Sequence, residues 1–475
     1  MDLQAKPGTR EEPEMHAPTV ATAETSVATA GRPTDTLPVP QLLQLSVYWF
    51  GITAIWAGLH NVILQERMNF LVPPGEVGRG LGLMTIAGVV MAILIQPTVG
   101  SISDYTTSRW GRRKPYIAIG ALLDVVFLVG IATSQTYLSV FAFIVLLQFS
   151  SNFAQGPFQG YVPDLVPAPQ VGLASALVGF MSIMGAVGGT AIASLGYVSA
   201  ALSGGPLEPA DFVLPTIGLG LIELATAVGT LLWVREGRLP KDRAGRSWLG
   251  VARETWGTDV LRERSFMWLL GSRLFVLMAV GSLTGLVTFY MTRSLGFGPA
   301  EKGFWVPISL ALVAVVTGIS TIPAARLSDR YGRKMLIYTS CLIGAAGMSL
   351  IVVAPSIFLA EAGLLLVGIA AGAFLAVDWA LMTDIIPKAS SGRFMGISNV
   401  ATASSGALAL AIGGTVMDLI GGTAQAGSGP RAAYVFAVAY FVVGAILLRP
   451  VDERRREDEP AAADQEIVLE GARAR

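Results

Sequence analysis

Twelve runs of mostly apolar residues divide the chain between positions 41 and 449. Each is near the length of about 20 residues that a helix needs to cross a hydrocarbon core of roughly 30 Å. Six fall at about 41–63, 80–101, 115–133, 136–157, 171–198 and 212–234, and six more at about 266–291, 303–323, 335–354, 356–380, 394–420 and 431–449. Short polar loops separate them, apart from one longer charged stretch at 235–265. The pattern predicts an all-α membrane protein, because a helix satisfies its own backbone N–H and C=O groups inside lipid. Residues 1–40 are rich in Thr, Ala, Pro and Glu without an apolar period, and both this segment and 450–475 read as disordered tails. No basic segment leads directly into an apolar one at the start, so no cleaved signal is read there.

Composition agrees with the pattern. Of 475 residues, 14% are charged and 53% hydrophobic, and the mean hydropathy is +0.60. That is too little charge to cover a soluble protein of this size. The formal net charge is zero, so the position of charge carries the information. Lys and Arg gather in alternate loops: Arg109, Arg112, Arg113 and Lys114 in 102–114, eight residues from Arg235 to Arg264 in the central stretch, and Arg326, Arg330, Arg333 and Lys334 in 324–334. The loop near 199–211 has Glu208 and Asp211 but no cation. With twelve spans, all the basic loops fall on one side together with both termini, and that side is expected to be cytoplasmic, in a multi-pass cell-membrane protein. The single Cys341 lies in an apolar run, and the only histidines are His16 and His60. Neither a disulfide framework nor a His- or Cys-based metal centre is expected, and no cofactor or nucleic-acid partner is implied.

The chain repeats itself. Ser103-Asp104 to Lys114-Pro115 follows the second span, and Leu327-Ser328-Asp329-Arg330-Tyr331-Gly332-Arg333-Lys334 follows the eighth. Asp164-Leu165-Val166-Pro167 matches Asp384-Ile385-Ile386-Pro387 at an offset of 220, which Gly172 and Gly392 also keep. Two landmarks in the same order predict two pseudo-symmetric six-helix halves, 41–234 and 266–449, joined by a linker at 235–265. Gly111 and Gly332 would permit a tight turn that a bare topology signal does not need.

At these loops the sequence resembles the major facilitator superfamily, whose signature is Gly-x-x-x-Asp-Arg-x-Gly-Arg-Lys. The second copy reads Ala325-x-x-x-Asp329-Arg330-x-Gly332-Arg333-Lys334. The first runs from Gly100 through Asp104, inserts four residues, and continues Arg109-Trp110-Gly111-Arg112-Arg113-Lys114. That expanded form is similar to the sucrose-transporter and SLC45-like branch of the glycoside–pentoside–hexuronide grouping. The resemblance implies alternating access, a substrate near the midplane, and a gating hinge built on Gly100, Asp104, Arg109, Gly111, Arg112, Arg113, Asp329, Arg330, Gly332 and Arg333. A carboxylate at the end of a helix can be met by Arg side chains and a neighbouring helix N-terminus, and such a contact can latch one state; the alternative is that the cations merely enforce topology.

Polar residues inside the spans are the site candidates. Gln148, Asn152, Gln155 and Gln159 follow i, i+4, i+7, i+11 on the fourth span and form one helical stripe. Amides offer both donors and acceptors, which suits a polyhydroxylated ligand, although interhelical packing also uses them. The stretch is similar to the sucrose-transporter segment Asn-x-x-Gln-Gly-Pro at Asn152, Gln155, Gly156 and Pro157, but that family's Arg is Gln159 here and its acidic residue is Gln148. The paired departure implies that the coupling device of that family is lost or relocated here, which argues against a classical proton–sucrose symporter. Asp124, about 15 Å into the third span by helix rise, and Glu223 in the sixth are candidate proton carriers. Arg273 and Asp378 are a candidate ion pair, with Asp378 the preferred coupling group, and Trp379 is a candidate for stacking on a sugar.

No phosphate-binding loop, His-Glu-x-x-His or Gly-x-Ser-x-Gly motif is present, so neither ATP-driven transport nor an enzyme is implied. Gly185, Gly188 and Gly189 lack the Gly-Pro pair of the drug-antiporter signature. The expectation is a monomeric secondary or facilitative transporter of a small polar organic solute, a sugar or glycoside, with protons as a candidate co-substrate and the bilayer as its surroundings. Two alternatives stay open: efflux of an amphipathic compound, and a non-transporting assembly factor that holds a lipid or pigment.

Overall fold

The structure, a computed structural model, describes residues 35–236, 263–385, 391–421 and 427–452. Most of both expected tails and most of the linker lie outside the described residues. Among the described residues, twelve helices are long and apolar enough to cross a bilayer. The first half comprises α1 (Val39–Leu71), α2 (Val77–Ser103), α3 (Lys114–Thr133), α4 (Tyr137–Leu165), α5 (Val171–Ser203) and α6 (Val213–Trp233). The second comprises α7 (Arg264–Ser294), α8 (Pro299–Tyr331), α9 (Arg333–Val353), α10 (Ile357–Ile385), α11 (Ser391–Gly421) and α12 (Ser428–Leu448). The number and order match the apolar pattern. The expected N-terminal tail ends earlier than residue 40: α1 starts at Val39, and the Leu37 N–H donates to Gln170 Oε1 at 2.7 Å.

Helix packing repeats between the halves. In the first, α1 packs on α5 and α6, α2 on α4, and α3 on α4 and α6. In the second, α7 packs on α11 and α12, α8 on α10, and α9 on α10 and α12. The halves meet along α2 with α11, along α5 with α8, and where α1 approaches α7. Small residues set these approaches. The backbones of Gly78 in α2 and Gly414 in α11 touch. Within the first half, Gly185 and Gly189 of α5 lie directly against Phe50, Thr53 and Ala54 of α1, which makes close packing the role of that glycine set.

Several helices run past the ends that the sequence suggests. The apolar pattern closes the first span at 63, before Gln65-Glu66-Arg67, yet α1 continues to Leu71. The charges stay inside because each is matched. Lys302 Nζ of α8 donates to Glu66 Oε1 at 2.7 Å, Tyr197 Oη of α5 donates to the same oxygen at 2.9 Å, and Arg67 donates to the Ser134 carbonyl. The Lys302 ammonium also sits 4.7 Å over the Tyr197 ring.

This cluster lies at the far end of the molecule, opposite the Asp104 and Asp329 loops. Two further contacts among the described residues join the halves there. Arg79 N–H of α2 donates to Asp418 Oδ2 of α11 at 2.8 Å. Thr288 Oγ1 of α7 donates to the Asn61 carbonyl at 2.8 Å. Asn61 lies in a π turn of α1, Leu59–Ile63, which weakens the regular helix ladder and leaves carbonyls for other donors. The halves are thus bound to each other at the far end.

Lys302→Met leaves Glu66 buried without its cation and should loosen that closure. In detergent-purified protein carrying Thr288→Cys, labelling by a water-soluble maleimide is expected to rise at least about tenfold, a modest share of what a broken buried pair costs. The one native thiol, Cys341, is 3% exposed and gives little background.

Candidate functional site

The candidate residues lie on α4 in the first half and on α7, α10 and α11 in the second. On α4, Gln148 and Asn152 are buried, Gln155 is half-buried and Gln159 is exposed at the hinge end. Asn152 Nδ2 donates to Gln148 Oε1 at 3.1 Å and to the Gln148 carbonyl at 2.7 Å. The first two amides therefore partly satisfy each other, and Gly88 of α2 packs against the Gln148 side chain. Gln155 and Gln159 are the more open members of the stripe. Gly156, part of the Asn-x-x-Gln-Gly-Pro segment, packs against α2, and a Cβ on Gly100 would lie 3.3 Å from its carbonyl. These two glycines therefore hold α2 and α4 together.

At the positions 220 residues on, α10 carries Asp378 and Trp379 where α4 has Phe158 and Gln159. The two pairs differ in chemistry. Phe158 is buried among aromatic rings, with centroids 4.9 Å from Tyr48 and 5.9 Å from Tyr161. Asp378 forms a buried ion pair with Arg273 of α7. The Arg273 Nη2 also donates to Thr402 Oγ1 of α11 at 3.0 Å, and its guanidinium lies 5.3 Å from the Trp379 ring. Trp379 is 39% exposed. One charge-neutral cluster thus joins three helices and leaves an indole partly open.

The first hinge loop is a buried ionic clamp. Arg113 Nη2 lies 2.7 Å from both Asp104 Oδ1 and Asp164 Oδ2, and Arg112 pairs with Asp164. Arg113 Nη1 also donates to the Pro157 carbonyl at 2.9 Å. Both arginines are buried. These bonds tie the end of α2, the start of α3 and the end of α4, all within one half. The carboxylate at the N-terminus of α3 is Glu236 rather than Asp104: it accepts from the Arg113 and Lys114 N–H groups at 3.1 and 3.0 Å and from Tyr161 Oη at 2.6 Å. Gly111, at φ 110°, makes the expected turn.

The second hinge is different. Asp329 is mostly exposed and 3.7 Å from Arg333 on the next turn, and Gly332 has φ 91°. Arg330 and, in the first hinge, Arg109 lie exposed over the rings of Tyr331 and Trp110 at 5.4 and 5.7 Å. The side chain of Asp384, the repeat partner of Asp164, lies outside the described residues. One contact does repeat: Lys114 Nζ donates to the Leu231 carbonyl at the end of α6 (2.7 Å), and Lys334 Nζ to the Val451 carbonyl after α12 (2.8 Å).

Asp124 and Glu223, separate candidates in the sequence, meet. Both are fully buried, and they lie where α3 and α6 pack, with Gly220, one turn before Glu223, against Val125 beside Asp124. Sequence reasoning missed Glu66, Lys302 and Tyr197 because they fall at or beyond the ends of apolar runs, where charge reads as boundary. It also missed Tyr48 and Glu236, whose roles depend on partners 175 and 75 residues away.

Comparison with known proteins places this geometry. The sequence profile described as the Major Facilitator Superfamily matches residues 41–408, with an overlapping match over 269–473. A lactose permease of Leuconostoc lactis is 25% identical over 327 residues, covering 64% of this chain and 47% of that protein. A sucrose transport protein of Oryza sativa subsp. japonica is 36% identical over 104 residues, covering 17% of this chain and 19% of that protein. The chain thus aligns with about half of the first relative and a fifth of the second. Among solved structures, a bacterial homolog to the human lysosomal transporter Spinster, in an inward-facing and occupied conformation, superposes with a TM-score of 0.70. That match covers 88% of this chain and 98% of the other at 15% identity, which is a likeness of fold.

The two hinges should respond differently to the loss of their acids. Asp164→Asn leaves buried Arg112 and Arg113 short of a counter-charge and should destabilise by about 2–4 kcal/mol, toward the cost of breaking a buried pair. Asp329→Asn should leave stability unchanged. Thermal unfolding of the detergent-purified variants by intrinsic fluorescence checks the contrast.

Proposed function

The chain belongs to the Major Facilitator Superfamily, and from that premise we propose that it moves a small polar organic solute, of the sugar or glycoside class, by alternating access between its two halves. The observation that carries the solute class is the pairing of the α4 amide stripe with the Arg273–Asp378–Trp379 cluster of α10 and α7 at pseudo-symmetric positions. Gln155 and Gln159 supply donors and acceptors without net charge, and the exposed part of Trp379 supplies an apolar face for a sugar ring. The names of the lactose and sucrose relatives agree with that class. A non-transporting lipid or pigment holder would favour an apolar interior; the buried ion pair and the amide stripe speak against one.

The hinge end, which carries the clustered Lys and Arg, is the cytoplasmic end in this reading. The far-end contacts Glu66–Lys302, Asn61–Thr288 and Arg79–Asp418 are then the outer closure, and transport requires them to break and re-form. The Asp104–Arg113–Asp164 clamp holds the hinge ends of α2, α3 and α4 as one body during that rocking. Asp104→Asn is expected to slow transport while solute affinity stays near that of the unaltered protein.

A thermal-shift screen of purified protein against sugars, glycosides and amphipathic drugs, followed by uptake of the best ligand into proteoliposomes, tests the solute class. Stabilisation by a sugar or glycoside, and its weakening by Gln155→Ala or Gln159→Ala, is the expected result. The loss should be about fivefold in affinity, the worth of one neutral hydrogen bond of about 1 kcal/mol. Stabilisation by amphipathic drugs alone would instead support efflux.

A further inference from the structure

We propose that Asp124 and Glu223 form one titratable proton-binding site in which a single proton is shared between the two carboxyls, and that this pair, not Asp378, is the proton site of the transporter. The inference rests on the transport reading for its use, but its chemistry is read from the site itself. Asp124 lies on α3 and Glu223 on α6, and each is 0% exposed. Each has one oxygen met by a hydroxyl: Ser150 Oγ donates to Asp124 Oδ1, and Tyr48 Oη donates to Glu223 Oε1 at 3.0 Å. The other two oxygens, Asp124 Oδ2 and Glu223 Oε2, have no donor among the described residues. Gly220, one turn before Glu223, packs against Val125, the neighbour of Asp124, so the two acids lie across the α3–α6 contact. Two ionised carboxylates are acceptors only, so a bond between them requires a proton on one.

Among the described residues no cation neutralises the pair. The elements packed around it are α1, α3, α4, α5 and α6. From α1 it is faced by Tyr48, and from α4 by Ser150. The other ionisable groups of α1, His60, Glu66 and Arg67, lie toward the far end, where Glu66 pairs with Lys302 and Arg67 bonds the Ser134 carbonyl. The cation of α3, Lys114, is spent on the Leu231 carbonyl at the hinge end, where α4 carries Asp164 on Arg112. Helix α5 has no Asp, Glu, Lys, Arg or His, and Glu223 is the one such residue of α6. Two bare charges in this setting would carry a desolvation penalty that nothing offsets. Asp378 is the contrary case, because Arg273 supplies its counter-charge.

The pair is also constructed rather than incidental. Gly51, one turn from Tyr48, lies against the backbone of Glu223; a Cβ there would come within 2.7 Å of the Glu223 Cα. Gly120, one turn before Asp124, allows α3 to meet α4 at Ser150, with 2.7 Å from its added Cβ to the Ser150 carbonyl. Four helices, α1, α3, α4 and α6, are thus drawn close around two acids. The fold does not demand this: 220 residues on from Asp124 stands Gly344, packed on Phe441 of α12.

Difference infrared spectroscopy of the full chain in detergent, without any solute, reads the site directly. As pH is raised, the protein is expected to lose a protonated-carboxyl C=O band in one step. The step should be absent from the Asp124→Asn/Glu223→Gln double variant, displaced along the pH axis in each single variant, and unchanged in Asp378→Asn. The proposal is overturned by a protein with no such step, by a step that survives in the double variant, or by its loss in Asp378→Asn. Where the double variant does not give a single size-exclusion peak, an undisplaced step in both isosteric single variants overturns it equally. Failure here would leave the sugar reading standing, and failure to find a transported sugar would leave the infrared step in place.

Discussion

Charge inside hydrocarbon is tolerable only where something meets it, and this constraint shapes the molecule from end to end. An unpaired ion within the spans would cost several kcal/mol, so each buried ionic group is tied to a specific neighbour. Lys302 answers Glu66 across the two halves, Arg273 answers Asp378 across α7 and α10, and Arg113 answers Asp104 and Asp164 at the hinge. The same requirement places Asp124 and Glu223, which have no cation among the described residues, where α3 and α6 pack, and gives each a hydroxyl. These bonds connect helices distant in sequence, so they fix which faces pack as well as where charge resides.

Pseudo-symmetry governs the scaffold and not the chemistry. Helix pairs repeat between halves, and Lys114 and Lys334 bond the chain at the ends of α6 and α12 in the same way. Yet one hinge is a buried clamp while the other leaves Asp329 mostly exposed. The four extra residues of the first loop let Arg112 and Arg113 reach back to Asp104 and Asp164. An amide stripe in one half stands opposite an ion pair in the other, and a carboxyl pair opposite Gly344.

One of the far-end contacts uses a deviation from regular helix. The π turn at Leu59–Ile63 presents the Asn61 carbonyl to Thr288 and the His60 carbonyl to Gln65 Nε2 at 2.8 Å. A bond made to a freed carbonyl costs the helix little when it breaks. The hinge clamp, with several charge-assisted bonds on two arginines, is the stiffer element.

Much of the architecture was legible in the chain. The apolar period counted the spans, the Lys and Arg distribution separated one set of loops from the other, and the repeated Asp-to-Lys motif announced the two halves and the turns at Gly111 and Gly332. These features are local, written in consecutive residues, and a membrane leaves a helix few other options. Gln148 to Gln159 could be read as a stripe for the same reason, whereas its grading from buried to exposed could not. The pairing of Asp124 with Glu223, of Glu66 with Lys302 and of Glu236 with the start of α3 was decided by tertiary structure alone. Each depends on how a helix is rotated and how closely its glycines let a neighbour approach, and charge at the end of an apolar run looks the same in sequence whether it meets water or a partner on another helix.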